Sequence, residues 1–258
     1  MKKHMRFYIT GANGFIGKHL SQFLENEGHE VFSYVRGDEI ITDKHFDVII
    51  NCAAEIHNED PQRVFSSNVE LPFLLQTLCD YTRFIQIGTS LEYGNSTSKH
   101  AFNLYSGSKS AASILTLSFG GTVVRPYSVY GSSDRHTKLL PVMLQKLHEN
   151  LPVTVYDGEH DWIYIDDFVN AIYYILCHNL HGEFDVCTGT PTSNMDLVRT
   201  LSSLIGSDSP IIEQNTKYRD YDREGWVGNT SRLPSGWQPQ YDLKQGLKEC
   251  VRMYRIES

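Results

Sequence analysis

The run Thr10-Gly11-Ala12-Asn13-Gly14-Phe15-Ile16-Gly17 constrains this chain more than any other feature. It follows Arg6-Phe-Tyr-Ile-Thr10, which reads as a strand, and opens a helix-period segment over residues 15–27. Glycines recurring with two residues between them have a physical logic at such a junction. Gly11 permits the tight turn, Gly14 lets backbone approach a pyrophosphate, and Gly17 lets the helix pack close to the strand. The helix start, including Asn13, Phe15 and Ile16, then offers N–H groups and the positive dipole end to phosphates. Glycines at this spacing also occur in plain turns, so their surroundings decide.

Those surroundings alternate. Strands are predicted at Val31–Val35, Asp47–Asn51, Phe84–Ile87 and Thr122–Arg125, with helices at 62–79 and 104–118 between them. Such a series predicts an α/β fold, a Rossmann-type doubly wound parallel sheet with helices on both faces. A helix near 138–149, a helix over 167–178 and a strand over 183–187 follow. The tail from about residue 190 is expected to mix short helices with the aromatic, charged run 218–226. The expected division is a dinucleotide-binding core of residues 1–130, to which 161–189 return, and a small C-terminal substrate lobe of residues 131–160 and 190–258.

Charge narrows the partners. Lys plus Arg is 23 and Asp plus Glu is 31 in 258 residues, a net charge of −8 with no basic arm, which argues against nucleic acid or an anionic membrane surface as a partner. No apolar stretch is long enough for a transmembrane span, and the strand starting at Arg6 is expected to leave no room for a secretory leader, so a cytoplasmic protein is predicted. Cys52, Cys79, Cys177, Cys187 and Cys250 are far apart, with no C-x-x-C pair, and predict reduced, mostly buried thiols rather than a metal site.

At the end of the second strand, Phe32-Ser33-Tyr34-Val35-Arg36-Gly37-Asp38 holds Arg36 where a reader of the ribose 2′-hydroxyl carries Asp or Glu. A planar guanidinium suits a 2′-phosphate, which favours NADP over NAD. The other reading, with Arg36 solvated and Asp38 on the ribose, leaves NAD as the cofactor.

Tyr105 and Lys109 are four apart on a predicted helix, so their side chains share one face. Lowering a phenol from about 10 to about 7 requires roughly 4 kcal/mol. An ammonium at about 4 Å supplies on the order of 4 kcal/mol at an effective dielectric near 20. Tyr105 can then act as an acid or base at a carbonyl or carbinol.

Together these features resemble an extended short-chain dehydrogenase/reductase of the nucleotide-sugar epimerase, dehydratase and reductase family. The resemblance rests on Thr10-Gly-x-x-Gly-Phe-Ile-Gly17, Asn51-Cys-Ala-Ala54, Ser67-Asn68-Val69, Gly88-Thr-Ser-x-Glu-Tyr-Gly94, Tyr105-x-x-x-Lys109, Val124-Arg-Pro-Tyr-Ser-Val-Tyr-Gly131, Asp161-Trp-Ile-Tyr-Ile-Asp-Asp167 and Gly236-Trp-Gln-Pro239. It implies that Thr89 hydrogen-bonds the reacting oxygen beside Tyr105, that Lys109 also holds the nicotinamide ribose, and that Ala53 and Ala54 line the cofactor groove. It implies that Pro126 to Val129 run past the nicotinamide. It also implies a homodimer through the helices at 62–79 and 104–118. Structural alternatives stand beside these roles: Thr89 and Ser90 as strand-end caps, Ala53 and Ala54 as packing residues, Asn68 as a loop anchor.

The departures are informative. Related 4,6-dehydratases carry an Asp-Glu pair directly after the hydroxyl residue, where this chain has Ser90 and Leu91. Double epimerase-reductases use a Cys and a His where this chain has Leu91 and Ser133, with His136 nearby. The Arg that often grips the substrate diphosphate is replaced by His160, expected in a shortened turn. Arg135, Lys138 and Arg223 are the candidate replacements, and Ser90 and His160 join them as candidate contacts to a nucleotide-sugar substrate. The expected activity is NADP-dependent reduction of a nucleoside-diphosphate 4-keto-6-deoxy sugar, with Tyr105 as the general acid and no metal. An NAD-dependent 4-epimerase and a non-catalytic cofactor-binding regulator are the alternatives.

Overall fold

The computed structural model describes residues 4–56, 60–94, 103–132, 134, 137–217 and 226–257. In chain order the elements are β1 (Arg6–Thr10), α1 (Phe15–Asn26), β2 (Glu30–Tyr34), β3 (His45–Asn51), α2 (Pro61–Phe65), α3 (Leu71–Leu78), β4 (Asp80–Ile87), α4 (Leu104–Ser118) and β5 (Thr122–Pro126). Then come β6 (Ser128–Tyr130), α5 (Leu139–His148), β7 (Val153–Asp157), β8 (Glu159–Tyr164), α6 (Ile165–Cys177), β9 (Glu183–Val186), β10 (Pro191–Ser193), α7 (Asn194–Ile205), β11 (Ile211–Lys217) and α8 (Leu243–Glu257). Two compact units result, residues 1–126 with 169–185, and residues 127–168 with 186–258.

The first unit carries a six-stranded sheet in the order β2-β1-β3-β4-β5-β9. Pairing is parallel between β2 and β1, β1 and β3, β3 and β4, and β4 and β5. Because both faces of such a sheet are covered, its strands lack the apolar-polar alternation of a one-sided sheet. Phe7, Tyr8, Ile9 and Thr10 of β1 are all buried, as are Val48 to Asn51 of β3 and the whole of β5. From β1 the chain crosses outward to β2, then returns to β3 on the other side of β1. That reversal makes the C-terminal ends of β1 and β3 the topological switch point, where open α/β sheets take their ligands.

The helix predicted over 62–79 differs in its middle. Between α2 and α3 the residues Ser66–Glu70 form a turn of π-helix. Pro72, at the start of α3, has no N–H for the carbonyl four residues back, and the widened turn carries Asn68 fully buried.

The second unit holds a three-stranded sheet, β10-β8-β6, and a two-stranded pair, β11-β7. Strand β8 pairs antiparallel with β10 and parallel with β6, while β11 runs parallel to β7. The tail departs from the expected short helices: α7 spans 12 residues, α8 spans 15, and β11 was not foreseen. Residues 212–216 of β11 are exposed, so no alternation marks that strand in the sequence. The thiols also depart from expectation. Cys187 and Cys250 are buried, Cys52 and Cys79 partly so, and Cys177 is exposed.

Candidate active site

The glycine turn leaves β1 at the switch point. Gly11 has φ +65°, and a Cβ there would stand 2.8 Å from the Ala53 backbone nitrogen. A Cβ on Gly17 would collide with the Gly11 carbonyl oxygen. The turn is therefore as tight as its residues allow. Gly14 is the N-cap of α1 and supplies no capping side chain, which leaves the first-turn N–H groups without a side-chain acceptor. A pyrophosphate suits that helix start, and the residues present fit a dinucleotide. Asn13 is exposed on the turn, with Phe15 and Ile16 half-buried behind it.

A row of fully buried side chains fixes the edge from which the loops depart. Thr10 Oγ1 donates to Asn51 Oδ1, Asn51 Nδ2 donates to Gln86 Oε1 at 2.8 Å, and Gln86 Nε2 donates to the Ile87 carbonyl at 2.9 Å. The row joins the ends of β1, β3 and β4. Ala53 N–H reaches the same Thr10 hydroxyl at 3.3 Å, and Ala53 and Ala54 are half-buried.

Asn68 clamps the next stretch. Its Oδ1 accepts from Glu55 N at 2.7 Å, and its Nδ2 donates to the Glu55 carbonyl at 3.0 Å and to Ser108 Oγ on α4 at 2.9 Å. On the mostly covered Glu55 side chain one oxygen, Oε2, accepts from Arg36 at 2.7 Å and from Arg63 at 3.0 Å. Both guanidiniums hold the Glu55 carboxyl below the usual range despite the opposing effect of burial. Asp38 Oδ2 accepts from Val35 N at 2.8 Å and closes the turn after β2, which commits one of its oxygens to the backbone.

Past β4, Thr89 is buried and caps the short helical turn Ser90–Tyr93. Its Oγ1 accepts from Leu91 N at 3.3 Å, and Glu92 Oε1 accepts from Thr89 N at 2.9 Å, a capping box. The second oxygen of Glu92 accepts from Arg125 Nε at 2.7 Å in a pair where both side chains are nearly covered, 4% and 7% exposed. Arg125 also donates to Glu183 at 2.7 Å and to Tyr93 Oη at 3.2 Å, and Tyr93 Oη donates to Asp185 at 2.7 Å.

Helix α4 starts at an Asn103 cap, which accepts from Ser106 N at 2.7 Å, and carries Tyr105 half-buried and Lys109 only 1% exposed, one turn apart. Burial pushes the Lys109 ammonium down to about 8, against the pull of Glu92 and of Cys52. Cys52 is itself pushed up to about 12, so at neutral pH it is an uncharged thiol and Glu92 is the anion that supports Lys109. The spacing of Tyr105 and Lys109 alone implies a permanent cation. Its burial makes that charge conditional.

Thus the first unit brings the glycine turn, Arg36, Ala53, Ala54, Thr89, Ser90, Tyr105 and Lys109 onto the ends of β1 to β4 and the adjoining start of α4. Pro126, buried, ends β5. The remaining expected contacts belong to the second unit: Val129 in β6, half-buried, and Lys138 at the N-cap of α5. His160 stands within β8 rather than in a turn, because its backbone pairs with Thr192 of β10 and Trp226 bridges it; its ring lies 5.6 Å from that of Trp162. Arg135 and Arg223, with Ser133 and His136, lie outside the described residues.

Glu55, Arg63, Glu92 and Arg125 were not singled out from sequence. Glu92 and Arg125 lie inside the quoted motifs, each the one charge among uncharged residues there. Glu55 and Arg63 had no such signal, since isolated surface charges are ordinary.

Comparison with known proteins fits this geometry. The family model described as "NAD dependent epimerase/dehydratase family" matches residues 7–187. A dTDP-glucose 4,6-dehydratase from Xanthomonas campestris pv. campestris is 26% identical over 88% of this chain and 80% of its own. A GDP-6-deoxy-D-mannose reductase from Pseudomonas aeruginosa is 25% identical over 95% and 96%. The solved structure of RMD from Pseudomonas aeruginosa complexed with NADPH superposes with a TM-score of 0.85 at 21% identity, covering 98% of this chain and all of that one.

Proposed function

This chain belongs to the NAD dependent epimerase/dehydratase family, and from that premise we propose that it is an NADP-dependent reductase of a nucleoside-diphosphate 4-keto-6-deoxy sugar. The observation that carries the choice is the turn after β4. Elimination of water needs an acid and a base beyond the tyrosine. Ser90 and Leu91 supply neither, and the Glu92 carboxylate is committed to Arg125 and the Thr89 amide. What this turn and α4 can do is deliver one proton. NADPH, when bound, supplies the hydride. Tyr105 donates its phenolic proton to the developing alkoxide, Thr89 orients that oxygen, and cationic Lys109 stabilises the phenolate left on Tyr105. Preorganised donors at the oxygen carry much of the rate. Arg36 favours the phosphorylated cofactor, and relatives named for a reductase and for an NADPH complex support the same reading.

The test is loss of NADPH absorbance against a panel of nucleoside-diphosphate 4-keto-6-deoxyhexoses, with Tyr105→Phe alongside. Stoichiometric oxidation of NADPH is expected with one sugar. An epimerase would consume none, and elimination from a nucleoside-diphosphate hexose would point to a dehydratase. Tyr105→Phe is expected to lower turnover at least about 100-fold with NADPH affinity nearly intact. A variant keeping more than a tenth of the activity overturns the assignment of the acid.

We also propose a homodimer through α2, α3 and α4. Phe65, Phe73, Leu104, Ile114 and Phe119 are large apolar side chains exposed along these helices and at the end of α4, and such a cluster suits a protein partner. Light scattering that finds only monomer at micromolar concentration would refute it.

A further inference from the structure

We propose that Arg63 joins Arg36 in gripping the 2′-phosphate of the dinucleotide, and that Glu55, held between them, sets how strongly NADPH is preferred over NADH. The inference rests on the NADP reading above and adds two residues to it.

Two guanidiniums repel one another, and an anion between them offsets that repulsion. Here Arg36 and Arg63 converge on the same oxygen of Glu55, at 2.7 and 3.0 Å. The convergence lies beside the glycine turn, since Gly11 N–H donates to Tyr34 O at the end of β2, and Gly11 abuts Ala53 two residues before Glu55. The ends of two strands, α2 and the π turn all contribute, the last through Ser67 Oγ, 3.4 Å from Arg36.

The site is built unevenly, and the unevenness is the argument. The Arg36 and Arg63 side chains are 57% and 50% exposed, and such ion pairs are weak enough to exchange partners. The Glu55 backbone, by contrast, is pinned through both its N–H and its carbonyl to the buried Asn68 amide. The two cations can therefore swing to a new anion, while the carboxylate stays beside it. A phosphate offers more oxygens and more charge than a carboxylate, and guanidiniums bind it in forked geometry. Glu55 is thus a stand-in anion that a 2′-phosphate must outcompete. Arg36, Arg63 and Glu55 sum to one positive charge; with glutamine at 55 the sum is two. A carboxylate repels phosphate and accepts from a hydroxyl, so both effects of its removal move the preference toward NADPH.

Calorimetric binding of 2′,5′-ADP and of 5′-ADP isolates the 2′-phosphate without turnover. Arg63→Gln is expected to weaken 2′,5′-ADP about fivefold, leaving 5′-ADP within twofold. Glu55→Gln, which leaves the backbone clamp in place, is expected to raise the ratio of the two affinities about fivefold. If Arg36→Gln loses 2′,5′-ADP while Arg63→Gln and Glu55→Gln change nothing, the inference is overturned and the NADP reading stands. If wild type prefers 5′-ADP and NADH, the NADP reading is overturned; Glu55→Gln still decides the role of Glu55, since a ratio that does not rise sinks it.

Discussion

The two units weight their loop contacts differently. In the first, side chains that hold backbone also hold one another: Thr10 to Asn51 to Gln86 along the sheet edge, Asn68 to Ser108, Glu92 to Arg125. In the second, buried carboxylates gather backbone. Asp161, fully buried in β8, accepts from Thr188 N and Oγ1 at 2.7 Å, Gly189 N at 2.8 Å and Gly228 N at 3.0 Å. Asp167 takes Gln240 N and Tyr241 N, both at 2.9 Å. A side-chain network sets where reactive groups stand, so damage to it should register in binding and catalysis. A carboxylate that collects N–H groups sets the path of the chain, so damage to it should register in stability.

The largest test falls on the second kind. Asp161→Ala strands three backbone N–H groups and a hydroxyl in a buried site, which should cost about 4 kcal/mol in urea denaturation. A loss below about 1 kcal/mol would break the comparison outright. Asn68→Ala, in the first unit, removes a buried amide with three contacts and should cost about 2 kcal/mol. It should also loosen the Glu55 backbone beside the glycine turn and change cofactor affinity by more than twofold, whereas Asp161→Asn at comparable stability loss should leave cofactor affinity within twofold.

Glu92→Gln sharpens the contrast through pH. Lys109 is cationic below about 8, so turnover should fall as pH rises through that value. Without the Glu92 charge the desolvated ammonium loses its proton more easily, and the limb should move to lower pH. Stability runs the other way. An amine with a depressed value sheds its proton in the folded chain before the unfolded chain does, so its burial penalty diminishes as pH rises from about 8 toward the ordinary lysine range. A pH profile in which Glu92→Gln leaves the limb in place would show that Glu92 holds the Thr89 turn and Arg125 without supporting the Lys109 charge.

The same contrast explains what the sequence disclosed. The strands predicted at 6–10, 31–35, 47–51, 84–87 and 122–125 lie within one residue of β1 to β5 or inside them, because a doubly covered parallel sheet demands unbroken apolar runs between glycine and helix signals. Tyr105, Lys109 and the glycine turn were legible because each chemistry needs a fixed spacing on one element. The π turn was not, since one widened turn leaves the helical pattern intact around Asn68. Nor were the Glu55 convergence and the Asp161 collection, which join residues 19 and 67 positions apart through contacts that no local periodicity records. In the second unit β11 is too exposed to show an alternation.

The smallest effect offers the cleanest control. Asn103 caps α4 by accepting from Ser106 N at 2.7 Å, and Ser193 caps α7 by accepting from Asp196 N at 3.0 Å. As caps they are matched, and replacing either with alanine should cost about 1 kcal/mol by urea denaturation. Their consequences should nonetheless differ. The helix that Asn103 starts carries Tyr105 two residues on and Lys109 one turn later, so fraying it displaces the proposed acid; the first turn of α7 carries no residue proposed to act in the reaction. Asn103→Ala should lower kcat by at least about tenfold, a misplacement effect, with NADPH affinity little changed. Ser193→Ala should leave kcat within twofold. Equal losses of stability with equal kcat in the two variants would mean that the first turn of α4 tolerates fraying, and that Tyr105 is held by contacts other than its helix start.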